Sequence, residues 1–272
     1  MTPDEFLRAY HARYPGATAA AFARGTIADG RSSYDLLADV ARPGERVLDL
    51  GCGDGYLLER MIQRGHSAEL LCGIDMSADE LDAARGRPSL AGVRLSCERA
   101  DALSLASGSI DRVVSHLAFM LMTDIDQVIE EIARVLVPGG RFCTIVGGGP
   151  GQGDAFELYL ELFHDVYATV ETRAPRLGDR RTREAIGLAD LMAPAGFAPN
   201  IEESTHTVSL DGTAQQVWDS IANHYEIFVV DPAAMAGLRA RFLAAAENLA
   251  DARGVVPCTT VVRLLTATRL RQ

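Results

Sequence analysis

The stretch RVLDLGCGDGY, from Arg46 to Tyr56, constrains the fold of this chain more than any other. A short apolar run ends at Leu50 and is followed by three alternating glycines, and apolar residues at helical spacing begin directly afterwards. A strand, a glycine turn and a helix in this order form a loop whose backbone can approach a ligand closely. The stretch therefore predicts a ligand-binding loop in an α/β fold.

Two classes of ligand use such a loop. A dinucleotide site requires a small residue where this chain has Tyr56, which argues against a nicotinamide-dependent oxidoreductase, although that enzyme class stays an alternative. The chain instead has the pattern D-x-G-x-G-x-G, which resembles motif I of class I S-adenosylmethionine-dependent methyltransferases. The resemblance implies that S-adenosylmethionine is bound by Asp49, Gly51, Gly53 and Gly55.

Acidic residues follow two later strands. Asp75 closes an apolar run 20 residues beyond Gly55, where α/β folds place the carboxylate that accepts hydrogen bonds from ribose hydroxyls. An acid at this point is alternatively an ordinary helix-start residue that the helix dipole favours. The family resemblance adds Asp101 as the group that reads the adenine amino group, and it places Met76 and Ala102 beside the cofactor.

Strands and helices alternate between residues 45 and 146, which predicts a doubly wound parallel sheet with its site at the carboxyl ends of the strands. The resemblance implies a mostly parallel, Rossmann-like sheet of seven strands whose last strand is antiparallel and inserted between its neighbours. We expect a single α/β domain over residues 1–272, with N-terminal helices in 1–44, a cofactor-binding core in 45–146, and helical insertions in 147–186 and 211–253.

The position of the added helices is open in the sequence. The N-terminal helices either lie over the cofactor cleft or merely cover the sheet. Gly147–Gly153, interrupted by Pro150, predicts a hinge or loop. The helices of the two insertions cannot bury their apolar stripes alone, and we expect them to cap the substrate side, with simple core cover as the alternative. Their aromatic residues are then expected to wall an apolar pocket: Phe156, Tyr159, Phe163, Tyr167, Trp218, Tyr225 and Phe228.

Histidines are the candidates for proton transfer, since an unperturbed imidazole titrates near neutral pH. His116 ends the fourth predicted strand, next to the expected position of the methyl group, and is a candidate general base and cofactor contact. It is alternatively a polar residue that shapes the cofactor pocket. His224 and Tyr225 are the further catalytic candidates, although a hydrogen-bonded core histidine is the alternative for His224. No close ligand spacing among the histidines supports a metal site.

Composition limits the partners. The net charge is −11, which disfavours nucleic acid, unless the arginines of Arg176–Arg183 form a binding patch instead of a solvated loop. No apolar run is long enough to span a membrane, and five unpaired cysteines suggest a reducing cytoplasm. We therefore expect methyl transfer from S-adenosylmethionine to a small-molecule acceptor of natural-product size. A cyclase or scaffold that binds S-adenosylmethionine without methyl transfer is the alternative. The acceptor, the methylated atom and the oligomeric state are left open.

Overall fold

The computed structural model describes residues 1–271 and contains one mixed sheet of seven strands. The strand order is β3-β2-β1-β4-β5-β7-β6. The strands are β1 (Val47–Leu50), β2 (Leu71–Asp75), β3 (Arg94–Cys97), β4 (Ile110–His116), β5 (Leu136–Pro150), β6 (Glu202–Ser209) and β7 (Thr259–Thr268). The first five are parallel, and β7 runs antiparallel between β5 and β6. The predicted sheet and its inserted antiparallel strand are confirmed.

The described residues contain ten α-helices. They are α1 (Pro3–Arg13), α2 (Ala17–Phe22), α3 (Ser33–Ala38), α4 (Tyr56–Gln63), α5 (Ala78–Arg85), α6 (Ile125–Val135), α7 (Ala155–Ala168), α8 (Ala185–Met192), α9 (Ala214–Ile221) and α10 (Pro232–Ala246). Buried residues of α3, α4, α5, α7, α9 and α10 share one apolar core, and those of α6 and α8 share the other. Helices on both faces make the sheet doubly wound, as expected.

The glycine loop leaves the sheet at its centre. β1 lies between β2 and β4, and Leu48 and Leu50 are fully buried on it. Gly51, the first residue after β1, has φ +75°, and a Cβ there would lie 2.5 Å from the Cβ of Ala118. Gly55 has φ +76° as N-cap of α4. Glycine is required at both positions because other residues are strained at positive φ and because a side chain at Gly51 would collide with Ala118.

The glycine-rich end of β5 differs from the sequence prediction. The segment from Gly147 to Pro150 is not a hinge; it continues β5 and pairs with β7, where Gly147 lies opposite Val262 and Pro150 opposite Thr260. A register shift between Gly147 and Gly149 absorbs the irregularity. The prediction of a hinge or loop was wrong for Gly147–Pro150, whereas Gly151–Gly153 does lie outside the strands and helices. Glycine and proline report only local preference, and the hydrogen-bond partner that extends this strand lies more than a hundred residues away in sequence.

The aromatic residues of the insertions pack mainly on one another. Tyr159 of α7 is fully buried, and its ring centroid lies 5.7 Å from that of Trp218 on α9 and 6.0 Å from that of Phe242 on α10. Phe163 stacks on the same face of α7, with its centroid 5.8 Å from that of Tyr159. The three helices thus bury their apolar stripes against each other. In residues 1–271, no helix combines the length and the apolar character needed to cross a membrane.

Candidate functional site

A cleft opens at the carboxyl ends of β1, β2 and β4. The space along its lining, open solvent included, is about 1080 Å³. It is lined by the glycine loop after β1, by residues that follow β2 and β4, and by the N-terminal segment, including Leu7, His11 and Thr18. The N-terminal helices therefore line the cleft, which resolves the alternative that the sequence left open.

The glycine loop is held by backbone hydrogen bonds to β2. The N–H groups of Gly51 and Cys52 both donate to the carbonyl oxygen of Ile74, at 2.8 and 3.0 Å. The N–H of Gly53 donates to Oδ2 of Asp75 at 2.9 Å. Since both the loop and Asp75 line the cleft, this hydrogen bond sets the distance between them.

Asp75 lies at the end of β2 with its carboxylate turned toward the loop. Besides the bond from Gly53, its Oδ1 accepts a hydrogen bond from the N–H of Ser77 at 2.8 Å. Burial raises the pKa of Asp75, and the two backbone hydrogen bonds oppose that rise. Each carboxylate oxygen keeps a further lone pair for a ligand, so the group is suited to accept from a pair of hydroxyls.

Asp49 is the most deeply buried acid of the cleft. It is 1% exposed, and its Oδ2 has no hydrogen-bond partner within residues 1–271. Burial raises the pKa of this carboxyl well above its usual value, and the nearby carboxylates of Asp75 and Asp54 raise it further. A buried polar atom without a partner is costly, and a donor on a bound ligand would satisfy it. The residues of the loop thus fit a ligand that carries hydroxyl and cationic groups.

Asp101 reaches the cleft with its charge already compensated. Arg99 donates to both of its oxygens, at 3.1, 3.1 and 2.8 Å, and these hydrogen bonds lower the pKa of the carboxyl. Arg99 also contacts Asp4 of α1. Met76 lines the same cleft, whereas Ala102 lies in an exposed turn and is not among the lining residues. The structure thus brings Met76 and Asp101 to the glycine loop, but not Ala102.

His116 lines the cleft from the end of β4. Its ring stacks on Tyr34, with centroids 3.7 Å apart, and its Nε2 lies 2.9 Å from Oγ of Ser33. Its Nδ1 has no hydrogen-bond partner within the described chain. Burial lowers the pKa of His116 to about 3, so the imidazole is neutral at neutral pH. This environment favours the second interpretation of His116, as a polar residue that shapes the pocket.

His224 and Tyr225 are neighbours in sequence but have different surroundings. Tyr225, at the start of the 3₁₀ turn Tyr225–Val229, lines the cleft, and burial raises the pKa of its hydroxyl. His224 is not among the lining residues. Its Nε2 lies 2.6 Å from the hydroxyl oxygen of Tyr159, and its Nδ1 lies 2.9 Å from Oε2 of Glu226. His224 therefore connects the 3₁₀ turn to α7 by a hydrogen bond, and this contact helps to hold Tyr225 in the cleft.

Of the seven aromatic residues expected to wall a substrate pocket, the cleft contains Tyr225 alone. The expectation assumed that helices outside the minimal fold cover the strand ends. Tyr159, Phe163 and Trp218 instead fill the space between α7, α9 and α10. The apolar surface near the glycine loop is supplied by the N-terminal segment and by residues after β4, such as Leu7 and Leu121.

Two further residues of the cleft escaped the sequence analysis. Glu80 of α5 is 2% exposed, and its Oε1 lies 2.6 Å from Nδ1 of His11 on α1. Ser77 caps α5 by accepting a hydrogen bond from the N–H of Glu80, whereas the Glu80 side chain turns to the N-terminal segment. One signal was available: His11 follows Leu7 by one helical turn, so it lies on the apolar face of α1.

Metal ligands are not grouped in this region. Within residues 1–271, no three histidine, cysteine or acidic side chains are arranged as a group that could hold a metal ion.

Comparison with known proteins agrees with this geometry. A family model described as a methyltransferase domain matches residues 41–162. A malonyl-(acyl-carrier protein) O-methyltransferase of Methylococcus capsulatus is 35% identical over 113 residues, which are 41% of this chain and 41% of that protein. A ribosomal RNA small subunit methyltransferase C of Chromohalobacter salexigens is 32% identical over 170 residues, 56% of this chain and 50% of the relative. The chain thus spans half or less of the length of these two relatives.

A solved structure extends the likeness over the whole chain. The crystal structure of a 4+2 cyclase, SpnF, superposes with a TM-score of 0.55 and 23% identity, covering 99% of this chain and 93% of that one. At this identity the likeness shows a common fold and nothing about the reaction.

Proposed function

Because the chain belongs to the class I S-adenosylmethionine-dependent methyltransferases, we propose that it transfers a methyl group to a small-molecule acceptor. S-adenosylmethionine is its cofactor, and when bound it supplies a methyl group activated by a sulfonium. The protein aligns the acceptor with this group and excludes water, since methyl transfer is an in-line displacement.

The roles proposed for the cleft residues follow from their hydrogen-bonding capacity. Gly51, Gly53 and Gly55 let the backbone approach the cofactor, and Asp75 accepts from the ribose hydroxyls. Asp49 offers its unpartnered Oδ2 to a donor on the cofactor. Asp101 reads the adenine amino group.

His116 is proposed as a neutral side chain that shapes the cofactor pocket and offers its free Nδ1 to a ligand. Its pKa of about 3 makes it a weak proton acceptor at neutral pH, where efficient bases have a pKa near the operating pH.

The observation that carries the choice of a small acceptor is the enclosure of the cleft. Leu7, Thr18 and Tyr225 line the cleft together with the glycine loop and the strand ends, so an acceptor bound there contacts the N-terminal segment as well as the sheet. A compact metabolite fits such a space more readily than a duplex or a folded protein. The net charge of −11 supports this choice, because it repels a phosphate backbone. The acceptors named for the two curated relatives differ in class and do not decide the question.

Acceptor profiling with cofactor carrying a labelled methyl group tests the proposal. Purified protein is incubated with panels of phenols, carboxylic acids, amines and activated carbon acids, and separately with total RNA and total protein. We expect S-adenosylhomocysteine and a labelled small molecule in at least one small-molecule panel. If the label appears only in RNA or only in protein, the acceptor is a macromolecule and the proposal of a small acceptor fails. Binding of S-adenosylhomocysteine without transfer to any acceptor would favour a cyclase or scaffold.

A cytoplasmic location belongs to the same proposal. It is supported by the five free thiols, four of which are buried, since secreted proteins tend to pair their cysteines.

A further inference from the structure

Three side chains from three separate elements converge in the cleft. His11 comes from α1, Glu80 from α5 and Tyr225 from the 3₁₀ turn after α9, and all three line the cleft that contains the glycine loop. Nδ1 of His11 lies 2.6 Å from Oε1 of Glu80, and Nε2 lies 3.4 Å from the hydroxyl oxygen of Tyr225. We propose that His11 is the general base that takes the proton of the acceptor, and that Glu80 positions it. This inference rests on the proposed methyl transfer.

Glu80 is held firmly enough to orient the imidazole. Its side chain is 3% exposed, and both oxygens accept the N–H of Gly16, at 3.1 and 3.0 Å. A carboxylate only accepts hydrogen bonds, so Nδ1 of His11 carries the hydrogen between the two groups. The tautomer assigned in this way leaves a lone pair on Nε2. Nε2 is therefore the proton-accepting atom, and it points toward Tyr225.

The partner at Nε2 is weakly held. At 3.4 Å, the contact to the Tyr225 hydroxyl is at the long end for a hydrogen bond, so an acceptor hydroxyl or amine can replace it. The side chain of His11 is 17% exposed, so it is reachable from the cleft. The proton released from Nε2 after each turnover then has a route to solvent.

Other histidines are less suited to the role. His116 also lines the cleft, but its Nε2 contacts Ser33 and no carboxylate supports its protonated form. Both nitrogens of His224 have partners outside the cleft, the Tyr159 hydroxyl and Glu226. His11 alone among these three combines a carboxylate partner on one nitrogen with a cleft-facing second nitrogen.

Carboxyl groups and aromatic rings face His11 from several elements. Glu80 faces it from α5, and the carboxylate of Asp75 interacts with it from the end of β2. The rings of Tyr10, on its own helix, and Tyr225 pack at its edges, with centroids 5.2 and 5.8 Å away.

The proposed reaction forms one bond to the methyl carbon, breaks one bond to it, and transfers one proton. The lone pair of the acceptor atom forms the new bond to the methyl carbon, and the electrons of the broken carbon–sulfur bond remain on sulfur, which leaves as a thioether. The acceptor's proton passes to Nε2 of His11 and later to solvent. Glu80 keeps its charge throughout and stays hydrogen-bonded to Nδ1–H.

The test uses the acceptor that gives the fastest turnover in the profiling experiment. We expect His11→Gln to lower kcat by roughly 10²–10⁴-fold, while the dissociation constant of S-adenosylhomocysteine stays within the same order of magnitude. The acid limb of the wild-type kcat–pH profile should vanish, and added imidazole should restore part of the rate to His11→Ala. The matched control is His164→Gln, since His164 is exposed on α7 and outside the cleft.

Glu80→Gln tests positioning separately from proton uptake. A glutamine presents either a donor or an acceptor to Nδ1, so part of the population adopts the tautomer that is protonated on Nε2. We expect kcat to fall roughly 10- to 100-fold while the acid limb persists. Nitrogen NMR of the wild-type complex with S-adenosylhomocysteine reads the tautomer without any acceptor and should show hydrogen on Nδ1.

The outcomes are distinct. The inference is overturned if His11→Gln keeps kcat but binds S-adenosylhomocysteine far more weakly. His11 would then only hold the N-terminal segment in place. Hydrogen on Nε2 in the NMR experiment overturns it too, including when the variants fail to fold. If the wild-type protein transfers methyl to nothing in any panel, the proposed function fails, and this inference fails with it.

Discussion

Lowering the pH should destabilise the protein through His116, because the native state holds this imidazole neutral. Burial lowers its pKa to about 3, against a usual value of 6.5. Below the unfolded pKa, the unfolded chain binds a proton at this residue and the native state does not, so stability falls as the pH falls. The loss begins near the unfolded value and continues until the folded value is reached. At about pH 5 it amounts to about 2 kcal/mol, from roughly 1.4 kcal/mol for each pH unit below the unfolded pKa.

Other buried groups titrate in the same range, so the effect must be measured as a difference. Burial lowers the pKa of His66, which acts in the same direction as His116. The pKa of Asp49 is raised by burial, so the native state binds its proton more readily and gains stability as the pH falls. Both groups are shared by the wild-type protein and a His116→Gln variant, and they cancel in the comparison.

Urea unfolding, followed by circular dichroism at about pH 7.5 and about pH 5, measures the difference. We expect the wild-type protein to lose about 2 kcal/mol more unfolding free energy between the two conditions than His116→Gln does. His164→Gln, which removes an exposed histidine, should behave like wild type. Equal losses in wild type and His116→Gln would refute a neutral buried His116 and would restore it as a candidate base.

Three further predictions concern the loop, the cofactor and the aromatic cluster. Asp75→Asn should weaken binding of S-adenosylhomocysteine by about 1.5–3 kcal/mol, or roughly ten- to a hundredfold, as measured by calorimetry. Asp79→Asn, at an exposed position, is the control. An unchanged affinity of Asp75→Asn would place the ribose contact elsewhere. Gly55→Ala should cost about 2 kcal/mol or more of unfolding free energy, because φ is +76° and the new Cβ would lie 2.5 Å from a leucine methyl. Gly30→Ala, at φ +84° in open space, should cost about 1 kcal/mol of unfolding free energy. If both substitutions cost the same, the collision with the leucine does not contribute to the loss at Gly55. Trp218→Ala should lower stability by about 3–5 kcal/mol without changing affinity for S-adenosylhomocysteine, and the reverse pattern would place this side chain in the cleft.

The sequence alone determined the position and type of the ligand loop. An apolar run, alternating glycines and a helical pattern are features of adjacent residues, and the backbone preferences that they express are local. Asp75 was found in the same way, as an acid that ends a strand at a set distance from the loop. The topology came from the order of strands and helices, and its antiparallel seventh strand came from the family resemblance.

The tertiary structure decided which side chains meet. Glu80 and His11 are 69 residues apart, and the helical pattern around Glu80 describes only its own helix. The sequence around His116 is the same whether this residue acts as a base or is a buried neutral ring. Burial lowers its pKa, and Tyr34 and Ser33, which α3 places against the ring, contribute to that burial.

The same division explains two of the expectations that the structure changed. Gly147–Pro150 has the composition of a hinge, but β7 supplies the partner that makes it a strand. Trp218 and Tyr159 have the composition of a substrate wall, but they face each other between α7 and α9. Secondary structure and turns depend on neighbours along the chain, which the sequence displays directly. Burial, hydrogen-bond partners and pKa depend on neighbours in space, and packing selects those from many arrangements that the same residues allow.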